Sequence, residues 1–491
     1  MGLTTGLSIA RSALFTSSEQ TSIVGRNVAN AGTALYTRKS ANVISVPGAG
    51  ARIVGVSRTS DTSLLRNLLG ANSDASAQKA LLDSLDQLDQ TVNDPELDAS
   101  PAALISKLAD AVQQYASQPH SELAGQAAVT AARNLVTSLN SSSAVVQNVR
   151  RDADAAIHDS VGRVATLLSR FETVNTQIVT GTRSGSDVSD YMDTRDGILN
   201  DLSNEIGIRT IARSDNDIAI YTDSGITLFD KTARTVSFDR SLSLAPGLAG
   251  NAVYIDGVAV TGASANMPIM SGAIKGYTEA RDKGALVYQR QLDEVARGLI
   301  EVFAESDQSG GALPDAPGLF TYPGAPAMPA TGTVVNGLAS LITVNANVDP
   351  AQGGVLTRLR DGGISDPLAP EYNYNTTGEA GFSGRLSQLS DKLTQSRSFD
   401  ASTDLDASAT LFDFSSSSVA WLQEARKIAD NEFQYRDTLY QRSTEAYSKS
   451  TGVNLDEEMT ILLELERSYQ TSSKLVSVIN EMFGTLVAAV G

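Results

Sequence analysis

Apolar residues near the start of the chain recur in steps of three and four. Leu3, Leu7, Ala10, Leu14, Ser17, Thr21, Val24 and Val28 share one helical face, which loses apolar character at Ser17 and Thr21. The spacing predicts a first helix that stops near Gly32, read as the left-handed residue that commonly ends helices. The far end carries a stronger pattern. Leu455, Leu462, Tyr469, Val476, Phe483 and Val490 fall at every seventh position, with Leu465, Ile479 and Leu486 three residues after their partners. Glu458 and Ser472 are the polar exceptions in that second line. A heptad sustained in this way predicts a helix that pairs with another. Asn454 is a good N-cap, and Asp456, Glu457 and Glu458 complement the helix dipole, so the helix is expected from Leu455 to Val490.

Between these ends the periodicity predicts further helices. Ser100-Pro101 reads as a cap and first helical residue, followed by Leu104, Leu108, Val112 and Tyr115 on one face. Helical runs are expected over Ser121–Thr180, Gly284–Glu305 and Val419–Ser448. Strand signals are read only in the middle, where residues 206–230 alternate as a small meander and NAVYIDGVAV predicts a hairpin turning at Asp256-Gly257. From Ser306 to Ser390 the chain turns rich in Gly, Pro, Ala, Thr and Asn, which is read as a β-containing insertion.

The expected fold is therefore mainly α with β-containing insertions, in several domains. Residues 1–65 plus 449–491 form a terminal helical domain with paired N- and C-terminal helices in a coiled-coil-like arrangement. Residues 66–305 plus 391–448 form a helical-bundle domain with a small meander around 206–262. Residues 306–390 form a small β-rich outer domain.

Composition narrows the function. The net charge is −18, from 38 basic and 56 acidic residues, which disfavours nucleic acid and anionic membranes as partners. Cysteine is absent and histidine occurs twice, which leaves no thiolate chemistry and little for a general base or metal. No stretch has the length of a membrane-spanning helix, and the amino terminus lacks the features of a cleaved leader. Asp154 and His158 lie four apart and are read as an exposed helix pair rather than ligands. The carboxylates of SDNDIAIYTDSG lack calcium-loop spacing and are read as solvated turns. No catalytic, metal-binding or cofactor-binding residue is assigned, and no cofactor is expected.

The stretch NVANAGTALYTRKS, residues 27–40, then gives the pattern a meaning. It resembles a motif near the amino terminus of bacterial flagellar axial proteins, Asn-Ile-Ala-Asn-x-x-Thr-x-Gly-Tyr-x-Arg. Asn27, Ala29, Asn30, Thr33, Tyr36 and Arg38 match it, Val28 replaces isoleucine, and Leu35 stands where glycine is usual. The carboxyl end, STGVNLDEEMTILLELERSYQTSSKLVSVINEMFGTLV, is similar to that of the hook-associated protein 1 family. There Val453 to Glu458, Tyr469-Gln470 and Met482-Phe483 match, and Thr451 replaces serine. YMDTRDGILNDLSNEIGI and GAIKGYTEARDKGALVYQRQLDEVARGL resemble its central region, and the likeness is weakest over 306–390.

The resemblance implies a non-enzymatic structural subunit of the flagellum at the junction of hook and filament. Its implied location is extracellular, reached through the type III export apparatus without a cleaved signal peptide. The implied partners are copies of itself, the hook protein, the second junction protein (hook-associated protein 3) and a dedicated chaperone on the C-terminal helix. Leu455, Leu462, Leu465, Tyr469, Val476, Ile479, Phe483, Leu486 and Val490 are the expected assembly and chaperone seam, poorly ordered in the free subunit. Alternatives are another axial protein, such as hook-associated protein 3 or a hook or rod protein, and, in a different class, an enzyme module carried on a flagellar scaffold.

Overall fold

A computed structural model describes residues 2–92, 100–241, 243–311 and 313–490. The chain opens with helix α1 (Leu3–Asn30), a hairpin of β1 (Lys39–Val46) and β2 (Gly50–Arg58), and α2 (Thr62–Val92). Helices α3 (Pro101–Ser117), α4 (Glu122–Ser184) and α5 (Ser189–Glu205) follow. Ser100 accepts from the Ala103 N–H and Ser121 from Ala124, so both N-caps work as their sequence suggests. At ~1.5 Å per residue α4 spans about 95 Å and serves as the spine. Its buried residues from Ala124 to Val149 join one apolar core, and those from Ile157 to Phe171 join another.

The second core lies under the expected meander. Strands β3 (Ile208–Ala212), β4 (Ile218–Thr222), β5 (Thr227–Asp230) and β6 (Thr232–Ala233) pair in sequence order and antiparallel. Phe229 of this sheet meets Phe171 of α4 edge-on, with ring centroids 4.9 Å apart. Strands β7 (Val236–Ser237), β8 (Tyr254–Ile255) and β9 (Val258–Ala259) form a second small sheet. Its last hairpin turns at Asp256 and Gly257, both with positive φ, the geometry of a type I′ turn. Helix α6 (Ala273–Glu279) continues through a π-helical turn into α7 (Ala285–Val302), which is buried on almost every side.

The remaining elements complete the first core. Residues 306–390 contain one two-residue strand pair, β10 (Phe320–Thr321) with β11 (Thr343–Val344), and short helices α8 (Leu338–Leu341) and α9 (Arg358–Asp361). Helix α10 (Gly384–Thr394) leads to α11 (Leu411–Thr451) and α12 (Leu455–Val490). Helices α2 and α11 run antiparallel, with Arg426 bonded to Asp86 and Arg436 to Asp74.

Four expectations are corrected. Strand is not confined to the middle, because β1 and β2 lie within the amino-terminal segment. Residues 306–390 are turn-rich rather than β-rich. Their density of Gly, Pro and Asn interrupts ladders, and buried side chains satisfy the backbone instead: Glu305 accepts from Ile364 N and Ser365 N, and Asn347 Nδ2 donates to Ile364 O. Their Leu319, Phe320, Leu338, Ile342, Leu359 and Ile364 share the first core with α4 and α7. Asp154 is buried rather than exposed, ion-paired to Arg281 at 2.7 Å, whereas His158 stays in solvent. Finally, α11 starts eight residues before the expected Val419, where Thr410 caps it through Asp413 N.

Asp293 fastens this turn-rich segment to α7. It is fully buried and accepts from Gly337 N, Ala339 N and Gln289 Nε2. Burial pushes its carboxyl up to about 6 from an ordinary 3.8, outweighing those donors. A raised carboxyl favours folding below the unfolded value, and that contribution is lost as pH rises through about 6. Wild type is therefore expected to lose about 2 kcal/mol relative to Asp293→Asn between pH 4 and 7, at ~1.36 kcal/mol per unit. Urea unfolding across that range measures the difference, and parallel pH profiles would contradict it.

Candidate functional site

The two terminal helices run antiparallel. Asn27 of α1 lies against Glu458 of α12, Ser17 Oγ bonds Ser468 Oγ at 3.3 Å, and Gly6 faces Ile479. The other side of α1 is covered by the β1–β2 hairpin, where Thr16 Oγ1 donates to Ala51 O and Ser12 Oγ accepts from Ala51 N. Covered on two sides, α1 needs polar residues in mid-helix, which accounts for its interrupted apolar stripe.

Asn27 is fully buried and uses its whole hydrogen-bonding capacity. Its Nδ2 donates to Lys39 O at 2.9 Å and to Glu458 Oε2 at 3.0 Å. Its Oδ1 accepts from Lys39 N at 3.0 Å and from the Tyr36 hydroxyl at 3.1 Å. Arg38 Nε donates to the other Glu458 oxygen at 2.6 Å, and Arg38 N donates to Thr451 O at 2.8 Å. The amino-terminal motif thus grips both the end of α11 and the first turn of α12. Glu458, an exception by hydrophobic pattern, is 1% exposed because these partners satisfy its charge.

The remaining motif residues are placed differently. Asn30 Nδ2 bonds Arg26 O within its own helix, and Ala29 and Thr33 face solvent. Gly32 does not adopt the left-handed conformation; Leu35 does, at φ 60°. The backbone thus keeps the shape that glycine would take while bearing a side chain, which costs about 1–2 kcal/mol. Leu35→Gly is accordingly expected to raise stability by up to about 1 kcal/mol, after the entropy of a freer unfolded chain is subtracted. A thermal unfolding midpoint that falls would count against this.

From the same turn a second set of bonds reaches α5. Asp187, Asp190, Asp193 and Asp196 recur at three-residue spacing at its start. Arg26 pairs with Asp187 and Asp190, Lys39 with Asp190 and Asp193, and Arg58 with Asp193 and Asp196. Thr37 adds its N–H and hydroxyl to Asp193. The Lys39 ammonium is buried 3.7 Å from the Tyr36 ring centroid. Burial disfavours its charge, yet the hydrogen bonds to Asp190 and Asp193 outweigh that and hold its pKa up. Burial raises the Asp196 carboxyl despite Arg58, and pushes the neighbouring Tyr447 hydroxyl up to about 12. Each acid here is matched to a cation or donor, so the cluster works as a fastening rather than as a proton-transfer site. Among the described residues no group of three or more His, Asp or Glu could hold a metal ion, and no helix is long and apolar enough to cross a membrane.

The C-terminal seam residues divide between two faces. Leu465 is buried against α1, and Leu462, Val476, Ile479 and Phe483 are half-buried. Leu455, Tyr469 and Leu486 are about half exposed, together with Met459, Leu463, Leu475, Val478 and Val487. Tyr469 and Val476 line an open groove of about 440 Å³ with Leu7, Leu14 and Phe15 of α1. Val490 ends the helix, and its side chain lies outside the described residues. Sequence reasoning missed Lys39, Arg58, Asp193, Asp196 and the anchoring role of Glu458. The three-residue spacing of the aspartates was the available signal.

The family model for the flagellar hook-associated protein FlgK helical domain matches residues 85–320, and the model for the flagellar basal body rod FlgEFG protein C-terminal matches residues 444–489. Over these two segments the chain is similar to flagellar hook-associated and rod proteins. Flagellar hook-associated protein 1 of Bacillus subtilis is 21% identical over 99% of this chain and 98% of its own length. The protein of that name from Salmonella typhimurium is 25% identical over 47% of this chain and 42% of its own, and that from Escherichia coli 22% over 62% and 56%. Among solved structures, the flagellar hook junction protein FlgK from Burkholderia pseudomallei aligns with 52% of this chain and 46% of its own, at 20% identity and a TM-score of 0.43.

Proposed function

We propose that this protein is a structural subunit of the flagellum that builds the junction between hook and filament through its paired terminal helices. The observation that carries the reading is the fastening of the amino-terminal motif onto Glu458 and Thr451, which leaves one side of α12 apolar and uncovered. An apolar helix face in solvent is costly, and neighbouring copies in a tube would cover it. Residues 1–65 plus 449–491 form the inward part, and the helical and turn-rich remainder faces outward.

Assembly and folding are coupled in this reading. Burial is deepest at the root, around Ile23, Val24, Asn27 and Glu458, and thins toward Leu3 and Leu486. In the free subunit the root holds while the distal turns open and close; joining the tube buries them and offsets the ordering entropy. The same exposed face suits a chaperone groove before export. Export through the type III apparatus without a cleaved signal, and contacts with the hook protein and hook-associated protein 3, complete the proposal. Deletion of the gene is expected to give hooks without filaments and flagellin shed into the medium. Normal filaments in the deletion strain would refute the junction role.

A further inference from the structure

We propose that the cavity between the terminal segment and the helical domain binds a small oxyanion, of the phosphate, sulfate or carboxylate class. This cavity, of about 580 Å³, is walled by residues 56–66 on one side and by 182–199 and 210–218 on the other. Four of its six charged lining residues are arginines, in a protein whose net charge is −18. Arg58 is committed to Asp193 and Asp196, and Arg213 bonds Asp230 with Asp217 nearby. Asp217 also accepts from Asn175 Nδ2, so both lining acids are engaged.

The other two arginines are left over. Arg66 is exposed and has no ion pair among the described residues. Arg195 is only 4% exposed; its Nη1 donates to the neutral acceptors Asn175 Oδ1 and Asn216 O, and its Nε has no partner. Its hydrogen bonds go only to neutral oxygens, while the nearby Asp196 and Asp217 are bonded to Arg58 and Asn175, so the guanidinium keeps a donor without a partner. Burial lowers its pKa to about 10, in keeping with incomplete compensation nearby. Ser60 and Thr210 line the same cavity, together with Ser186 and Ser189, whose hydroxyls bond Ser184 and Asp187. Helix α2 starts at its edge with Thr62, and its first N–H groups, of Ser63 and Leu64, are already taken by the Asp61 carboxylate. Two guanidinium groups with N–H donors to spare on one cavity are what an oxyanion favours.

Because the walls belong to two different segments, a bound anion stabilises their docked arrangement by linkage. The test titrates full-length subunit with potassium phosphate, at ionic strength held constant with potassium chloride, by calorimetry and hydrogen exchange. Saturable 1:1 binding is expected, with slower exchange over residues 56–66. Arg66→Gln, at an exposed position with no partner to lose, is expected to weaken binding at least ~10-fold. Arg195→Lys, which keeps the charge but loses the fork, is expected to weaken it as well. Absence of saturable binding beyond the chloride control, or unchanged affinity in Arg66→Gln, would overturn the proposal. Binding by both free and assembled protein would identify a free anion as the occupant. Binding by the free subunit alone would identify a carboxylate of a neighbouring copy.

Discussion

Replacing Asn27 by alanine is expected to unfasten the two ends of the chain and to cost about 4 kcal/mol, because several buried groups lose partners at ~1–3 kcal/mol each. The variant strands Lys39 N, Lys39 O and one Glu458 oxygen, and frees the Tyr36 hydroxyl. Asn30→Ala is the matched control. It lies three residues further along the same motif, yet its side chain bonds only within its own helix, so its expected cost stays below about 1 kcal/mol. Urea unfolding, together with hydrogen exchange over residues 27–39 and 451–465, separates the two variants. Equal losses would mean that the motif does not act through Asn27.

Asp193→Ala carries the second largest expectation, a loss of about 3 kcal/mol concentrated where the terminal segment meets α5. This carboxylate accepts from Thr37 N, Thr37 Oγ1, Lys39 Nζ and Arg58 Nη1. Its removal leaves the buried Lys39 ammonium with Asp190 alone, a residue whose side chain is 64% exposed. Asp190→Ala should accordingly cost less than Asp193→Ala, because the half-buried Asp193 still pairs the buried Lys39 ammonium. Lost protection at Thr37–Arg58 and at the start of α5, with the α4 spine unaffected, is the expected exchange pattern. Global unfolding or no local change would contradict it.

Much of this architecture could be read from residue spacing. The heptads and the Asn454 cap predicted α12 with its bounds, and the alternation over 206–230 predicted the meander. The β1–β2 hairpin was missed although NVISV and ARIVGV flank a Pro47-Gly48 turn, because Val43 and Ile44 are adjacent and both exposed, so no one-sided alternation marks the strand. Residues 306–390 misled for a different reason. Short β-branched islands there pack into a helical core as turns, and that choice depends on Asp293, Glu305 and Asn140 far away in sequence. At the fastening, Glu458 and Ser472 looked like flaws in an apolar line. Such a pattern cannot register that a polar residue is buried when its partner lies more than 400 positions away, as Asn27 does from Glu458.

The central claim is that the chain is fastened at one root and that assembly orders the rest of its terminal helices. Hydrogen exchange resolved along α1 and α12, in a demonstrated monomer and in the assembled junction, tests it most directly. In the monomer, protection is expected to be high around Asn27 and Glu458 and to fall steadily toward Leu3 and Leu486; in the assembly it is expected to be high throughout. Uniformly strong protection along both helices in the monomer, or none at the Asn27–Glu458 root, would contradict the account.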